Sequence, residues 1–212
     1  MYQLYLFDFD YTLARSEKGI LLCFRRVLDR YGYTDLTDDA LRRVIGYTLG
    51  DGFRMLTGQT DPAVLDRYWR EYEDEAHRIM TDNTTLYPDA TPVLTALKDA
   101  GAKVGIISSK HRSLVTEAME RYGAMGYIDL LVGVSDVARA KPDPAGILFA
   151  LETLGAAREE TLYCGDSFID AQAAQNAGVP FAAVTTGTTS AADFAGYPCV
   201  AVMERLGRIL EL

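Results

Sequence analysis

Short runs of apolar residues, rich in β-branched and aromatic side chains, recur along the chain and predict six buried strands. Segments with helical periodicity separate most of these runs. This alternation is typical of an α/β protein, and we expect a doubly wound parallel sheet. The predicted strands are Leu4–Phe9, Lys103–Ser108, Leu130–Val134, Thr161–Cys164, Phe181–Thr185 and Cys199–Met203.

Four predicted helices between these strands each end at a glycine. A glycine just past the last helical residue adopts the left-handed conformation that terminates a helix. The four stops occur in step with the strand spacing, which supports the α/β alternation. The helices are Thr91–Ala100, Ser113–Tyr122, Pro144–Leu154 and Asp170–Ala177.

The stretch between the first two strands shows helical patterns and no convincing strand. One helix has an apolar face, Thr37 is placed to cap a second, and Asp61-Pro62 predicts the start of a third. We therefore predict an all-helical cap domain over residues 15–84, inserted into an α/β core of residues 1–14 and 85–212. The apolar face consists of Ile20, Phe24, Val27, Leu28 and Tyr31.

Composition narrows the possible partners. The chain has 212 residues with 21 basic and 30 acidic side chains, a net charge of −9, and this balance argues against nucleic-acid binding. A small anionic substrate is still compatible, because it responds to the local field of a cleft. No run of eighteen apolar residues occurs and no basic leader precedes Asp8, so we expect no membrane span, no signal peptide and a cytoplasmic protein.

Candidate chemistry lies at the ends of the predicted strands. Ligands of open parallel sheets bind outside the carboxyl ends of the strands. If the first, second and fourth strands are adjacent, carboxylates, hydroxyls and a lysine meet in one cleft. The residues at or just beyond the ends of the first four strands are Asp8 and Asp10, Ser108 and Ser109, Lys141, and Asp166 and Asp170.

Such a cluster suits phosphoryl transfer. Clustered carboxylates repel one another unless a cation neutralises them, and oxygen ligands without His or Cys favour Mg²⁺. A carboxylate such as Asp8 can act as a nucleophile that forms an aspartyl-phosphate. Asp10, two residues on, can protonate the leaving oxygen and later deprotonate water. Ser108 and Lys141 would hold the phosphoryl oxygens.

Several of these side chains also have a purely structural interpretation. Asp170 and Ser108 could each cap the helix that follows them. Lys141 could be a solvated loop charge. Lys110 lies near the mouth of the expected cleft, where it would favour an anionic leaving group, but a solvated helix start explains it equally well.

Four segments of the chain, in order, resemble the motifs of the haloacid dehalogenase superfamily. They are Asp8-Phe9-Asp10-Tyr11-Thr12-Leu13, Ser108, Lys141-Pro142 and Gly165-Asp166-Ser167-Phe168-Ile169-Asp170. The resemblance covers nearly the whole chain. The helical insert is similar to the cap of the phosphoglycolate phosphatase and β-phosphoglucomutase branch, which implies a Rossmann-like core with a C1-type cap.

The resemblance also implies roles for these residues. Asp8 is implied as the nucleophile and Asp10 as the general acid and base. The implied phosphate ligands are Ser108, Ser109 and Lys141. The implied Mg²⁺ site comprises Asp8, Asp10 through its backbone carbonyl, Asp166, and Asp170 as support for the metal shell or for Lys141. A glycine-containing loop, Ile45–Gly50, looks like the cap loop of that branch, with Gly46 and Tyr47 reaching the site.

We therefore expect a Mg²⁺-dependent phosphatase for a small phosphorylated metabolite, similar to phosphoglycolate phosphatase. Asp10 argues against dehalogenase and phosphonatase relatives, which lack this acid. One alternative is a β-phosphoglucomutase-like mutase, although the cap lacks the expected His and basic residues. Another is a non-catalytic phosphate-binding regulator, which would need neither Asp8 nor Asp10. No heptad or self-complementary surface predicts an oligomeric state.

Two residues depart from the pattern of this branch. Tyr11 stands where glycine is usual, so we expect a backbone conformation that a tyrosine can hold and a ring that narrows the cleft. Arg15 stands at a hinge position that is often acidic. The charge at the entrance to the cap therefore differs from the usual pattern.

Overall fold

The computed structural model describes residues 1–212 and contains a six-stranded, fully parallel sheet. The strands of the molecule are β1 (Leu4–Phe7), β2 (Ala14–Arg15), β3 (Thr85–Leu86), β4 (Lys103–Ile107), β5 (Leu130–Val132), β6 (Thr161–Gly165), β7 (Phe181–Val184) and β8 (Cys199–Met203). The order in the large sheet is β5-β4-β1-β6-β7-β8, while β2 and β3 form a separate antiparallel pair. All six predicted strands occur, and the predicted α/β fold class is confirmed.

Eight α-helices accompany the strands. They are α1 (Glu17–Arg30), α2 (Asp38–Arg42), α3 (Leu49–Thr57), α4 (Pro62–Ile79), α5 (Ala90–Asp99), α6 (Arg112–Arg121), α7 (Ala145–Leu154) and α8 (Phe168–Ala177). The four glycines predicted to end helices, Gly101, Gly123, Gly155 and Gly178, all have positive φ. No helix is both long enough and apolar enough to cross a membrane.

The large sheet is buried on both faces. Alternate residues of β1 belong to different clusters: Tyr5 and Phe7 pack with side chains of α5 and α6, and Leu4 and Leu6 pack with side chains of α7 and α8. A strand that is covered on both sides needs apolar residues at successive positions. This double burial explains why the strands appear in the sequence as continuous apolar runs.

The inserted helices α1–α4 have a core of their own. Phe24 of α1 packs its ring 5.0 Å from that of Phe53 and 4.9 Å from that of Tyr72, measured between centroids. The predicted caps are present, since Thr37 accepts a hydrogen bond from the backbone of Ala40 and Asp61 from that of Ala63. The chain enters and leaves this helical region through the paired strands β2 and β3.

The first strand ends earlier than its apolar run suggests. It was predicted to reach Phe9 but stops at Phe7, because the chain turns there and the carbonyl of Phe9 accepts bonds from the amides of Leu13 and Ala14. Phe9 is nevertheless fully buried, in the cluster that includes Tyr5. Its apolar character reflects burial beneath the turn and not a place in the strand.

The helix α3 was not predicted. The predicted loop Ile45–Gly50 ends at Thr48, whose hydroxyl accepts a hydrogen bond from the amide of Asp51 and so caps the helix. Gly50 lies inside α3, and glycine disfavours the helix interior. This glycine made the segment resemble a continuous loop.

Candidate active site

The strand order brings three sets of candidate residues to one edge of the sheet. Strand β1 lies between β4 and β6, so the predicted adjacency of the first, second and fourth strands is confirmed. The amide of Asp8 bonds to the carbonyl of Cys164 at 2.8 Å, and that of Ser108 to the carbonyl of Val132 at 2.9 Å. These bonds extend the ladders past the strand ends and align the first candidate side chains.

Three buried carboxylates form the centre of the candidate site. One oxygen from each of Asp8, Asp166 and Asp170 lies within 4.8 Å of the other two. Burial raises the pKa of Asp8 to about 7. The attraction of Lys141 lowers this pKa, and the negative charges of Asp170 and Asp10 raise it. Burial and repulsion by Asp170 and Asp8 raise the pKa of Asp166 well above its usual value. The cluster therefore favours uptake of protons or of a cation.

These donors fit a magnesium ion by their chemistry. All are carboxylate oxygens, and Mg²⁺ prefers oxygen ligands, of which one or two are usually protein carboxylates. A single buried lysine, Lys141, faces three acidic groups, so the cluster has an excess of negative charge. The carboxylate of Asp10 is not part of this group.

Lys141 links two members of the cluster. Its Nζ lies 2.7 Å from Asp8 Oδ1, 2.6 Å from Asp170 Oδ1 and 3.1 Å from the hydroxyl of Tyr163. The side chain is only 6% exposed, which excludes a solvated loop charge. Burial alone would lower the pKa of Lys141, but the two carboxylates raise it above its usual range. The lysine therefore stays protonated.

Asp170 contributes to both helix capping and the site. It is the third residue of α8, where its Oδ2 accepts a bond from the amide of Ser167 while the hydroxyl of Ser167 accepts one from the amide of Asp170. The possibility that Asp170 itself is the cap residue is therefore wrong. Its Oδ1 accepts hydrogen bonds from Lys141 and Tyr163, so one carboxylate joins the helix start to the cluster.

Asp10 sits apart from the three clustered carboxylates and carries a different set of contacts. Lys110 Nζ lies 3.0 Å from Asp10 Oδ1, and the hydroxyl of Ser16 donates to the same oxygen. Only 7% of the Lys110 side chain and 14% of the Asp10 side chain are exposed. Lys110 is thus a paired, buried cation and not a solvated charge at a helix start.

Two serines follow β4 at the edge of the cleft. The hydroxyl of Ser108 accepts from the amide of Lys110 at 3.1 Å, and His111, not Ser108, caps α6. The hydroxyl of Ser109 is buried without any hydrogen-bond partner. Because buried polar groups are normally satisfied, a bound ligand is a natural partner for this hydroxyl.

Several residues that shape the site escaped the sequence interpretation. A Cβ on Gly187 would lie 1.8 Å from Asp166 Oδ2, and one on Gly165 would lie 2.5 Å from Asp170 Cγ. Only glycine leaves room for these carboxylates. Gly187 follows β7, the neighbour of β6, so extending the strand-end rule to the fifth predicted strand would have singled it out. Tyr163 lies inside a buried strand and carried no comparable signal.

Tyr11 meets the expected backbone requirement but not the expected position of its ring. Its φ is 61°, a left-handed value that residues other than glycine seldom adopt. The ring is buried, and its hydroxyl donates to Glu17 Oε2 at 2.7 Å. Tyr11 does not line the cavity beside the carboxylates, so the expectation that it narrows the cleft is wrong.

A cavity of about 540 Å³ separates the carboxylates from the inserted helices. Asp8 and Asp10 line it from the side of the sheet, and Gly46 and Tyr47 line it from the helical insert. The ring centroid of Tyr47 is 6.1 Å from that of Phe168, at the start of α8. The loop of the helical region therefore approaches the sheet edge that carries the carboxylates.

Comparison with known proteins agrees with this architecture. The family described as haloacid dehalogenase-like hydrolase matches residues 5–184. The chain belongs to this family. Membership in the haloacid dehalogenase-like hydrolases confirms the resemblance that the four motifs carry.

Individual members of the family are similar over most of the chain. Pyrophosphatase PpaX of Bacillus velezensis is 28% identical over 208 residues, which cover 98% of this chain and 94% of that protein. Phosphoglycolate phosphatase of Aquifex aeolicus is 31% identical over 186 residues, which cover 86% of this chain and 84% of that protein. The crystal structure of a haloacid dehalogenase-like hydrolase from Bacteroides fragilis superposes with a TM-score of 0.97 at 46% identity. The superposition covers 99% of this chain and 100% of that one. The protein is thus an enzyme of the phosphatase type.

Proposed function

We propose that this enzyme is a Mg²⁺-dependent phosphomonoester hydrolase that acts on a small phosphorylated molecule through an aspartyl-phosphate on Asp8. The observation that carries the proposal is the buried cluster of Asp8, Asp166 and Asp170, with Lys141 between two of them and with Asp8 lining a cavity. So much buried charge is costly unless a ligand or ion uses it.

Asp8 is the nucleophile in this proposal. Lys141 holds its Oδ1, and no donor of the protein contacts its Oδ2, which is free to attack phosphorus. As the new bond forms, the bond to the ester oxygen breaks, and Asp10 supplies the proton that the leaving oxygen needs. Asp10 then takes a proton from water as the water attacks the aspartyl-phosphate, and phosphate and free Asp8 are released.

Other groups at the sheet edge hold the transferred phosphoryl group. Ser108, Ser109 and Lys141 provide hydroxyl and ammonium donors for its oxygens. The carboxylates of Asp8 and Asp166, with the backbone carbonyl of Asp10, would hold Mg²⁺, and Asp170 supports Lys141. When bound, the ion supplies positive charge that offsets the carboxylates and the phosphoryl oxygens.

The domain division belongs to the same proposal. Residues 1–14 and 85–212 form the catalytic core, and residues 15–84 form the cap that covers it. The two strands that connect them pair side by side, with Ala14 opposite Leu86 and Arg15 opposite Thr85, so they can bend together as a hinge. Gly46 and Tyr47 would then contact the leaving group when the cap is closed.

A mutase and a binding-only regulator are less consistent with the site. A sugar phosphate mutase must orient several hydroxyl groups, and the cavity wall contributed by the helical insert is mainly apolar. A regulator that only binds phosphate would gain nothing from a second carboxylate, Asp10, placed near the reacting oxygen. We therefore retain hydrolysis as the proposed reaction.

Hydrolysis of p-nitrophenyl phosphate tests the proposal. We expect turnover with Mg²⁺, little turnover with Ca²⁺, and none in excess EDTA. Asp8→Asn should reduce turnover by at least about 10³-fold, since removal of a nucleophile eliminates the covalent route. Asp74→Asn, at an exposed carboxylate of α4, is the matched control and should retain full rate. Full activity in EDTA, or a near wild-type rate for Asp8→Asn, would overturn the proposal.

A further inference from the structure

We propose that the substrate is the phosphate monoester of a largely apolar alcohol that carries no second anionic group. This inference rests on the proposed function and specifies its leaving group. It predicts a substrate chemistry different from that in the names of two relatives, which specify pyrophosphate and phosphoglycolate. In both of those substrates the leaving group is small and itself negatively charged.

The size and lining of the cavity support an apolar leaving group. The space of about 540 Å³ lies in the range, roughly 300–1,000 Å³, of sites for drug-sized ligands, and it is far larger than a two-carbon acid. Starting from Asp8, the walls include Phe24 of α1, Leu65 and Trp69 of α4 and Leu114 of α6. An alcohol with an aromatic or branched apolar body would fill this space and exclude water while Asp8 is being phosphorylated.

The cations around the cavity are already engaged. Lys110 pairs with Asp10, and the guanidinium of Arg54 pairs with Asp51 one helical turn away. The Nδ1 of His111 lies 2.8 Å from the hydroxyl of Ser113. A second anion on the leaving group would have to break one of the two ion pairs or turn to the imidazole of His111.

The remaining charges in the wall are negative. Asp66 and Glu73, both on α4, line the cavity. Asp66 pairs with Arg70, whereas Glu73 forms no salt bridge. These carboxylates repel an anionic leaving group, and Glu73 can accept a hydrogen bond from a hydroxyl or an ammonium group. Hence the wall opposite the catalytic carboxylates selects against a second negative charge.

A matched series of esters tests the inference. Benzyl phosphate, 4-carboxybenzyl phosphate and 4-(aminomethyl)benzyl phosphate have leaving groups of similar size but different charge. We expect kcat/KM for the neutral and cationic esters to exceed that of the carboxylate ester at least about tenfold. The kcat/KM values of the neutral and cationic esters should also exceed those of 2-phosphoglycolate and pyrophosphate by at least the same factor.

Variants of the wall then assign the preference to these residues. Glu73→Lys should raise kcat/KM for 4-carboxybenzyl phosphate relative to benzyl phosphate at least about fivefold, since it replaces a repulsive charge by an attractive one. Glu152→Lys, on an exposed part of α7, makes the same change in net charge away from the cavity and should leave the ratio unchanged. Trp69→Ala should lower kcat/KM for benzyl phosphate. Phe149→Ala is a comparable truncation at an exposed position of α7, away from the cavity, and should not lower it.

The outcomes separate the inference from the proposed function. Turnover of p-nitrophenyl phosphate with a preference for phosphoglycolate, pyrophosphate or the carboxylate ester overturns the inference alone. An unchanged ratio in Glu73→Lys, with a folded protein verified by circular dichroism, also overturns it. If no ester is hydrolysed in the presence of Mg²⁺, the proposed function fails and the inference fails with it.

Discussion

The sheet edge and the helical wall that faces it are built on opposite principles. At the sheet edge, Asp8, Lys141 and Asp170 are almost fully buried and bonded to one another. The helical wall, by contrast, is mainly apolar, and its only charged lining residues are Arg54, Asp66 and Glu73. The difference suggests that bond breaking depends on the sheet edge, and that selection of the leaving group depends on the wall.

The two regions also differ in how firmly they are held. At the sheet edge, Lys141 connects Asp8, which directly follows β1, with Asp170 of α8, so the carboxylates are held together by one buried cation. The wall belongs to helices whose apolar cluster takes only Leu114 of α6 from outside the insert, and two paired two-residue strands join these helices to the sheet. A rigid reactive edge and a separately packed wall are what closure over a substrate requires.

The largest effect expected within this comparison concerns the proton that we propose Asp10 supplies. Asp10→Asn should slow phosphorylation of Asp8 by alkyl phosphates about 10²–10⁴-fold, because an alkoxide is a poor leaving group without a proton. With p-nitrophenyl phosphate the leaving group needs no proton, so a rapid burst of p-nitrophenolate should persist. Rapid-quench measurements of both esters provide the test, with Asp74→Asn as the control. Equal losses in the first step for both esters would contradict this role.

A second, smaller effect concerns the charge stored at the sheet edge. Burial raises the pKa of Asp8 to about 7, and burial with repulsion by Asp170 and Asp8 raises that of Asp166 well above its usual value. The folded protein thus retains protons that the unfolded chain releases. Without metal, stability should be greatest below the unfolded pKa values and fall as pH rises from about 4 to about 7.

Asp166→Asn provides the corresponding test by removing one of these charges. At pH 7 without metal, the variant should be more stable than the wild type by roughly 1–3 kcal/mol, and its stability should depend less on pH. Mg²⁺ should raise the melting temperature of the wild type and not that of the variant. Differential scanning calorimetry with and without Mg²⁺ measures both effects. A variant that is less stable than the wild type in EDTA would show that the carboxylates do not repel one another.

The smallest expected effect lies in the wall. Gly46 has a φ of 98°, and a Cβ there would lie 3.8 Å from the hydroxyl of Ser167, so Gly46→Val should disturb the loop where it meets the core. We expect kcat/KM to fall about tenfold for benzyl phosphate and much less for methyl phosphate. Gly32→Val serves as the control. Gly32 has a φ of 82°, so the backbone strain is similar, but a Cβ there would have no atom within 4 Å. Equal losses for both esters would remove Gly46 from substrate selection.

Local signals in the sequence predicted a large part of this architecture. Continuous apolar runs marked the strands because both faces of the sheet are covered, and glycines marked helix ends because only they adopt positive φ without strain. Thr37 and Asp61 were identified as caps because capping depends on residues two or three positions apart. The helix α3 was missed because its glycine obscured the periodicity on which the other predictions relied.

The candidate site divides in the same way. The positions of Asp8, Ser108 and Asp166 followed from the strand ends, because parallel strands present their carboxyl ends at one edge. The pairing of Lys110 with Asp10 did not follow, because two residues separated by the whole helical insert give no local pattern. The strand-end rule points to the position of Gly187 but not to the clearance that it provides for Asp166, since this clearance depends on a residue that follows a different strand.

Periodicity and local capping were therefore sufficient to define the strands, most of the helices and the edge of the sheet where the chemistry lies. The contacts that give the site its character arise only when distant segments pack together. Lys141 lies between Asp8 and Asp170 through a loop that follows β5, and the cavity is enclosed by α1, α3, α4 and α6. Side-chain spacing along a strand or helix is a local property of the chain, whereas the field at a buried carboxylate and the walls of a cavity are sums over residues that only folding brings within a few ångströms.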